Sequence, residues 1–192
     1  MTEIAVVYHS TTGTTKRLAQ AVHVGAGGVA GARASLHAIV GDDIREGRFS
    51  NNALFAQLDA ADAIIFGSPT FMGGPSAQLK AFLDATVSRW VTRAWANKLA
   101  AAFTVSATPS GDKLNTLTSI AVTAMQLGMI WVGVEETTRD PSAPNRLSVY
   151  MGAAGQADYG TNPPGVVAAD LRTGELLGAR VAKLALRLRA NP

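Results

Sequence analysis

The chain has 192 residues, enough for one domain with a sizeable core spanning 1–192, and 17 basic against 14 acidic side chains give it a net charge of +3. Hydrophobic residues make up 47% and charged residues only 16%, a balance that points to apolar surface buried against other subunits as well as in the core. The absence of cysteine excludes a disulfide scaffold, a thiolate nucleophile and a cysteine-based metal site, and the short apolar run at the start reads as neither a signal peptide nor a transmembrane span, so a cytoplasmic protein is expected.

Ile4 to Tyr8 is apolar and rich in β-branched residues, and reads as a first strand. Leu18, Ala21, Val22 and Gly25 then recur at helical spacing. Between them lies Ser10-Thr11-Thr12-Gly13-Thr14-Thr15. A helix N-terminus presents free N–H groups and the positive end of the helix dipole, and five hydroxyls add donors to the same place. Such a loop suits one phosphate monoester. A triphosphate loop would need G-x-x-x-x-G-K-[ST], and only one glycine is present here. A phospho-acceptor domain would need acidic residues after the first and third strands, where the chain has His9-Ser10 and Gly67-Ser68. Gly25-Ala26-Gly27-Gly28-Val29-Ala30 fits G-x-G-x-x-A but follows the first helix instead of opening it, and is read as a C-cap and flexible turn.

Further along, Ala34 to Val40 alternates as a second strand, a turn-rich patch runs from Gly41 to Asn52, and Leu54 and Leu58 mark a short helix. Ala63 to Phe66 is a continuous apolar run, as expected of a strand buried on both faces of a parallel sheet. A Gly- and Pro-rich loop from Gly67 to Pro75 precedes the helix of Leu79, Phe82, Leu83 and Thr86. Leu99 to Ser106 and Met129 to Val134 read as the fourth and fifth strands, with the helix of Leu114, Leu117, Ala121, Ala124 and Met125 between them. The last helix runs from about Asp170 to Arg189. Its basic residues Arg180, Lys183, Arg187 and Arg189 are not interleaved with aromatics and read as a solvated face, so no nucleic-acid partner is expected. This alternation predicts an α/β fold with a doubly wound parallel sheet.

Ligands of such sheets bind beyond the carboxyl ends of the strands. Three loops reach that edge: Ser10 to Thr15, Ser68 to Gly74 and Ala107 to Lys113. The second allows close backbone approach to a flat ligand, with Phe71 and Met72 beside it; the third offers hydroxyls and backbone groups to a polar ring edge. A phosphate cradle, an apolar sandwich and a polar rim together describe a pocket for flavin mononucleotide, FMN. His9, His23 and His37 have no carboxylates at ligand spacing, so no metal is expected, and no G-x-S-x-G elbow is present.

Ser10-x-Thr12-Gly13-x-Thr15 resembles the phosphate loop of flavodoxin-like proteins. A longer stretch is similar to the tryptophan-repressor-binding-protein-like flavodoxin family, whose members include NAD(P)H:quinone oxidoreductases. The residues that carry the resemblance are Ala61 to Thr70, Ala77 to Asp84, Trp90, Asn97 to Ala100 and Gly128-Met129. It implies a flavodoxin-like sandwich on a central five-stranded parallel sheet, with FMN as cofactor, NAD(P)H as substrate and a quinone as two-electron acceptor. By position, Ser10, Thr11, Thr12, Gly13, Thr14 and Thr15 would hold the phosphate. Pro69, Thr70, Phe71, Met72 and Gly73 would line the ribityl chain and ring, and Ser106, Ala107, Thr108, Pro109, Ser110 and Gly111 would meet the pyrimidine edge. Trp90 matches a family tryptophan near the flavin face, and a homodimer or homotetramer is implied.

Two departures stand out. Gln126 and Leu127 replace a basic pair that in the family typically contains histidine near the flavin. Leu127 also continues the apolar stripe of Leu117, Ala121 and Ala124, so both an active-site and a core position are open to it. The segment Gly111 to Thr116 differs from the glycine-rich family version. Glu135 to Gly165 is too long for an ordinary connection and is read as completing the site or a subunit contact, with Asn145, Tyr150 and Tyr159 as contributors, or as a surface loop. Flavodoxin carriers are typically acidic, so the basic balance favours an enzyme over an electron carrier.

Overall fold

The computed structural model describes residues 1–160 and 162–190. Thr161, inside the 135–165 stretch, and Asn191 and Pro192, at the end of the expected 1–192 span, lie outside the described residues. In chain order the elements are β1 (Thr2–Tyr8), α1 (Thr14–Gly27), β2 (Ala32–Ala38), β3 (Ile44–Arg45), β4 (Arg48–Phe49), α2 (Asn52–Ala60), β5 (Ala63–Phe71), β6 (Gly74–Pro75), α3 (Ala77–Ala85), α4 (Val87–Thr92), β7 (Leu99–Ser106), α5 (Lys113–Gln126), β8 (Ile130–Trp131), β9 (Ala153–Asp158), β10 (Gly165–Val166) and α6 (Ala168–Ala190).

The long strands run parallel in the order β2-β1-β5-β7-β9, which is the flavodoxin-like order; β10 pairs antiparallel with β9, β6 antiparallel with β5, and β8 parallel with β7. From β1 the chain steps outward to β2 and then returns to the other side of β1 as β5. The carboxyl ends of β1 and β5 therefore flank the point where strand order reverses, the place where such sheets bind ligands.

Alternation along the strands makes two cores. Ile4, Val6 and Tyr8 of β1 face α1 and α6 with Leu18, Val22, Leu177 and Val181. Ala5 and Val7 face α2, α3 and α5 with Leu54, Leu79, Phe82, Leu117 and Ile120. Sandwiched strands need no polar face, hence the continuous apolar run at Ala63 to Phe66.

Three sequence expectations shift. Only Ile130 and Trp131 of the expected strand Met129–Val134 pair with β7, because the Met129 amide bonds back to Ala124 O (3.0 Å) and the Val134 amide turns to Tyr150 O (3.0 Å). The sheet is completed instead by β9, inside the stretch read as a loop. Its sequence, AAGQAD, lacks the β-branched and aromatic residues that mark a strand. Its place is set by β7 on one side and by Leu18, Val105 and Val166, all 3.2 Å from where a Cβ on Gly155 would lie. The third strand also runs past its apolar stretch, to Phe71.

The glycines read as a flexible turn after the first helix are partly helical. Gly25 lies within α1, where an added Cβ would stand 1.9 Å from the backbone oxygen of Glu175 in α6. Its role is close helix crossing. In the same crossing Gly178 of α6 sits against the backbone of Val22 and Ala26.

Candidate functional site

The first loop ends β1 and opens α1. Gly13 precedes the helix at φ 91° and as the N-cap residue has no side chain to cap it, and no acidic residue lies in the first turn. Ser10 organises the turn: its Oγ accepts from the amides of Gly13 and Lys16, each at 3.2 Å. Thr12 and Thr14 share a hydroxyl contact of 3.2 Å. Thr15 is buried, and its hydroxyl has no hydrogen-bond partner. A buried orphan hydroxyl is costly in a finished structure and calls for a partner from outside the chain. Above Gly13 a Cβ would meet nothing within 4 Å, so there is open room at the positive end of a helix. Orphan donor, open cradle and the positive helix start fit a phosphate oxyanion.

The second loop is a hairpin. Pro69 and Thr70 are buried members of β5, Pro69 opposite Val105 of β7, and the Thr70 hydroxyl is committed inward to those of Thr104 (2.7 Å) and Thr116 (2.8 Å). At the tip Phe71 and Met72 are exposed and Gly73 is half-buried, with Met72 and Gly73 both at positive φ. Gly67, just before this loop, admits the ring of Phe103, whose atoms come within 2.1 Å of the place a Cβ would take. The hairpin is fixed from two sides. His9 Nδ1 meets Ser76 Oγ at 2.9 Å, and the Ser76 amide donates to Ser68 Oγ at 2.9 Å; burial pushes the His9 pKa down, which keeps that ring neutral. On the other side the Asn115 amide donates to Gly73 O at 2.7 Å.

The third loop, 106–112, leads from β7 into α5. Ala107, Thr108, Pro109 and Ser110 are exposed. Ser106 Oγ donates to Thr108 O at 3.2 Å, and Gly111, at φ 53°, leaves no room for a Cβ, which would stand 2.3 Å from that same oxygen Oγ. Beneath the loop Lys113 is buried, with its ammonium donating to Thr108 O and Pro109 O. The sequence offered one signal of it, a lysine at the first position of a helix, where a cation opposes the dipole.

The structure thus brings Ser10–Thr15, Phe71–Gly73 and Ser106–Gly111 to one edge of the sheet. It does not bring Trp90 or Leu127 there. Trp90 stands on α4, in a groove of about 590 Å³ shared with Leu83, Val87, Val122 and Gln126, and its neighbour Arg89 pairs with Asp59 at the end of α2, 2.9 Å away. That is the opposite edge of the sheet. Leu127 is a core residue beside Ile120, Ala124 and Met129. Asn145 is buried and structural: its amide donates to Thr173 Oγ1 at 2.7 Å and its side chain to Glu136 O at 2.8 Å. Tyr150 and Tyr159 are exposed. Among the described residues no cluster of His, Cys, Asp and Glu could hold a metal, and no helix is long and apolar enough to cross a membrane.

Comparison with known proteins agrees with this geometry. The sequence profile of a family described as NADPH-dependent FMN reductase matches residues 3–138. A protein named Flavodoxin FldP, from Pseudomonas aeruginosa, is 37% identical over 99% of this chain and 100% of its own length. A protein named NAD(P)H dehydrogenase (quinone), from Archaeoglobus fulgidus, is 35% identical over 98% of this chain and 100% of its own. A solved flavodoxin, WrbA-like protein from Agrobacterium tumefaciens superposes with a TM-score of 0.74 at 40% identity, covering 97% of this chain and 99% of that one.

Proposed function

The chain belongs to the NADPH-dependent FMN reductase family, and we infer that it is an FMN-dependent oxidoreductase that passes two electrons from NAD(P)H to quinones or similar aromatic acceptors. The observation that carries the reading is the orphan hydroxyl of Thr15 in a hydroxyl-rich helix start at the sheet's switch point. The FMN reductase family and the relatives named for quinone reduction supply the reaction.

When bound, FMN supplies the hydride chemistry. The protein's part is to hold and orient it. Ser10 to Thr15 would grip the phosphate, with Ser10 Oγ fixing the turn and Thr15 Oγ1 acquiring the partner it lacks. Phe71, Met72 and Gly73 would line the ring from the hairpin tip, while Pro69 and Thr70 support that tip from inside the sheet. Ser106 to Gly111 would meet the pyrimidine edge. Nicotinamide and acceptor would use the same exposed edge in turn, so positioning does the work that an acid or base does elsewhere. Trp90, at the opposite edge in its own chain, would face a flavin only across a subunit contact. A single domain over 1–192, a homodimer or homotetramer, a cytoplasmic location and no nucleic-acid partner belong to the same proposal.

Titration of apoprotein by quenching of flavin fluorescence tests the site. FMN should bind about one per chain and more tightly than riboflavin, and Thr15→Val should weaken FMN alone, by about 1.5–3 kcal/mol for a bond to a charged group. Equal affinity for FMN and riboflavin would sink the phosphate assignment. The relative named as a flavodoxin favours a second reading, an electron carrier that docks a redox protein. Anaerobic addition of NADH or NADPH separates the two: an enzyme's flavin bleaches directly and recolours with quinone, a carrier's does not.

A further inference from the structure

Lys113 is held where local rules oppose a cation. Only 1% of its surface is exposed. It opens α5, so it sits at the positive end of that helix, with no acidic residue in the first turn and no side-chain cap from Asp112. Burial is the main force drawing its pKa down, to about 8; Asp170 opposes the shift, and the nearby guanidinium of Arg146 adds to it. Arg146 is itself paired with Asp170 through bonds of 2.9 and 3.0 Å. Sites that break several local rules at once are where function is to be sought.

What the position achieves is a grip on the third loop. The ammonium donates to two successive carbonyls, Thr108 O and Pro109 O, of a stretch whose side is otherwise open to solvent. Across a trans peptide, the C=O and the following N–H point to opposite sides. Turning the Pro109 carbonyl inward to the ammonium therefore turns the Ser110 N–H to the opposite side, away from the lysine.

We propose that Lys113 is a positioning residue of the flavin site: from beneath the 106–111 loop its ammonium sets the loop's peptides against the pyrimidine edge and supplies the positive charge that favours an electron-rich flavin. This rests on the assignment of FMN to the three loops. A cation placed under that edge tunes the ring without touching it.

The test compares wild type with Lys113→Met and Lys113→Gln at pH 7, measuring FMN affinity, the two-electron midpoint potential of bound FMN and the melting temperature of the apoprotein. Lys113→Met should bind FMN about tenfold more weakly, a loss within the range of one charge-assisted bond. Its bound flavin should be harder to reduce, by about 30 mV for each tenfold lost in preference for the reduced form. Its apoprotein should melt no lower than wild type, because methionine has a similar length without the cost of a buried charge. Lys113→Gln keeps an N–H donor without the charge, so it should recover part of the affinity and leave the potential low. Wild-type affinity should also decline from pH 7 to 9 and that of Lys113→Met should not; the charged groups around the lysine are Asp112, Arg146 and Asp170. Full FMN uptake with unchanged affinity and potential in both variants would overturn the proposal alone, as would a lowered melting temperature with an unchanged potential. Wild type that takes up no FMN would overturn the site assignment along with it.

Discussion

Leu127 lies at the end of α5 with 2% of its surface exposed, among Leu117, Ile120, Ala124 and Met129. The sequence left it two readings, a stand-in for an active-site histidine or the next residue of an apolar stripe, and its surroundings select the second. An imidazole there would have no partner for its ring nitrogens. Leu127→His should therefore lower stability by about 1–3 kcal/mol, the cost of a buried unsatisfied polar group, and leave FMN affinity unchanged. The loss should deepen below about pH 6.5, where the unfolded chain takes up a proton that the buried ring resists. Thermal melts at pH 8 and pH 5.5 beside an FMN titration check this. Faster turnover with quinones and an undiminished melting temperature would return Leu127 to the active site. The acceptor's polar partners must then come from the exposed groups of the loops, or from another subunit.

At the scale of elements, the sequence was legible where local pattern and environment agree. β1, β7 and α5 follow their apolar periodicity, and the hydroxyl run before α1 announced its start. It was not legible where distant parts decide. β9 is made of small residues with no strand signature, and it pairs because β7 offers an open edge. The hydroxyl of Thr70 reads as a loop group and is a buried link between two strands and a helix. The glycines of α1 read as a turn, yet Gly25 and Gly178 let α1 and α6 approach until backbones touch. Gly178→Ala makes that crossing measurable. Its Cβ would stand 2.1 Å from Val22 O and 2.9 Å from Ala26 N, and backbone cannot yield as a side-chain end can. Overpacking should cost about 1–3 kcal/mol, against a gain of up to about 1 kcal/mol in helix propensity, for a net loss seen in urea unfolding. Gly27→Ala, whose Cβ would meet only Ala34 Cβ at an ordinary 3.6 Å, is the control and should be neutral or slightly stabilising. Equal effects from the two substitutions would show that the crossing is not tight.

For the whole molecule, exposed apolar side chains gather at the edge opposite the three loops. Val87 and Trp90 of α4 share a groove with Val122 of α5, and Val91 of α4, Met125 near the end of α5 and Ile130 of β8 are exposed as well, all six at least 45%. Apolar patches of this kind mark contact sites on soluble proteins, and this one continues into the groove that holds Trp90. Light scattering should return a dimer or tetramer, and Val91→Asp should shift it toward monomer while leaving the melting profile of the isolated chain close to wild type. A monomer at every practical concentration, with and without FMN, would remove the assembly from the proposal.

The contact between α1 and α6 also bears on when the protein becomes competent. Every residue of the three loops has been synthesised by position 113, well before α6 begins at Ala168. Yet the helix that follows the hydroxyl-rich loop rests along one side on α6, and the carboxylate that faces Lys113 is Asp170, in its first turn. Before α6 forms, the hairpin and the third loop already have their own ties, His9 to Ser76, Asn115 to Gly73 and Lys113 to Thr108 and Pro109, but α1 lacks the surface it packs on. The order of the first loop thus depends on a segment made much later in the chain, which closes over the helix that the loop opens.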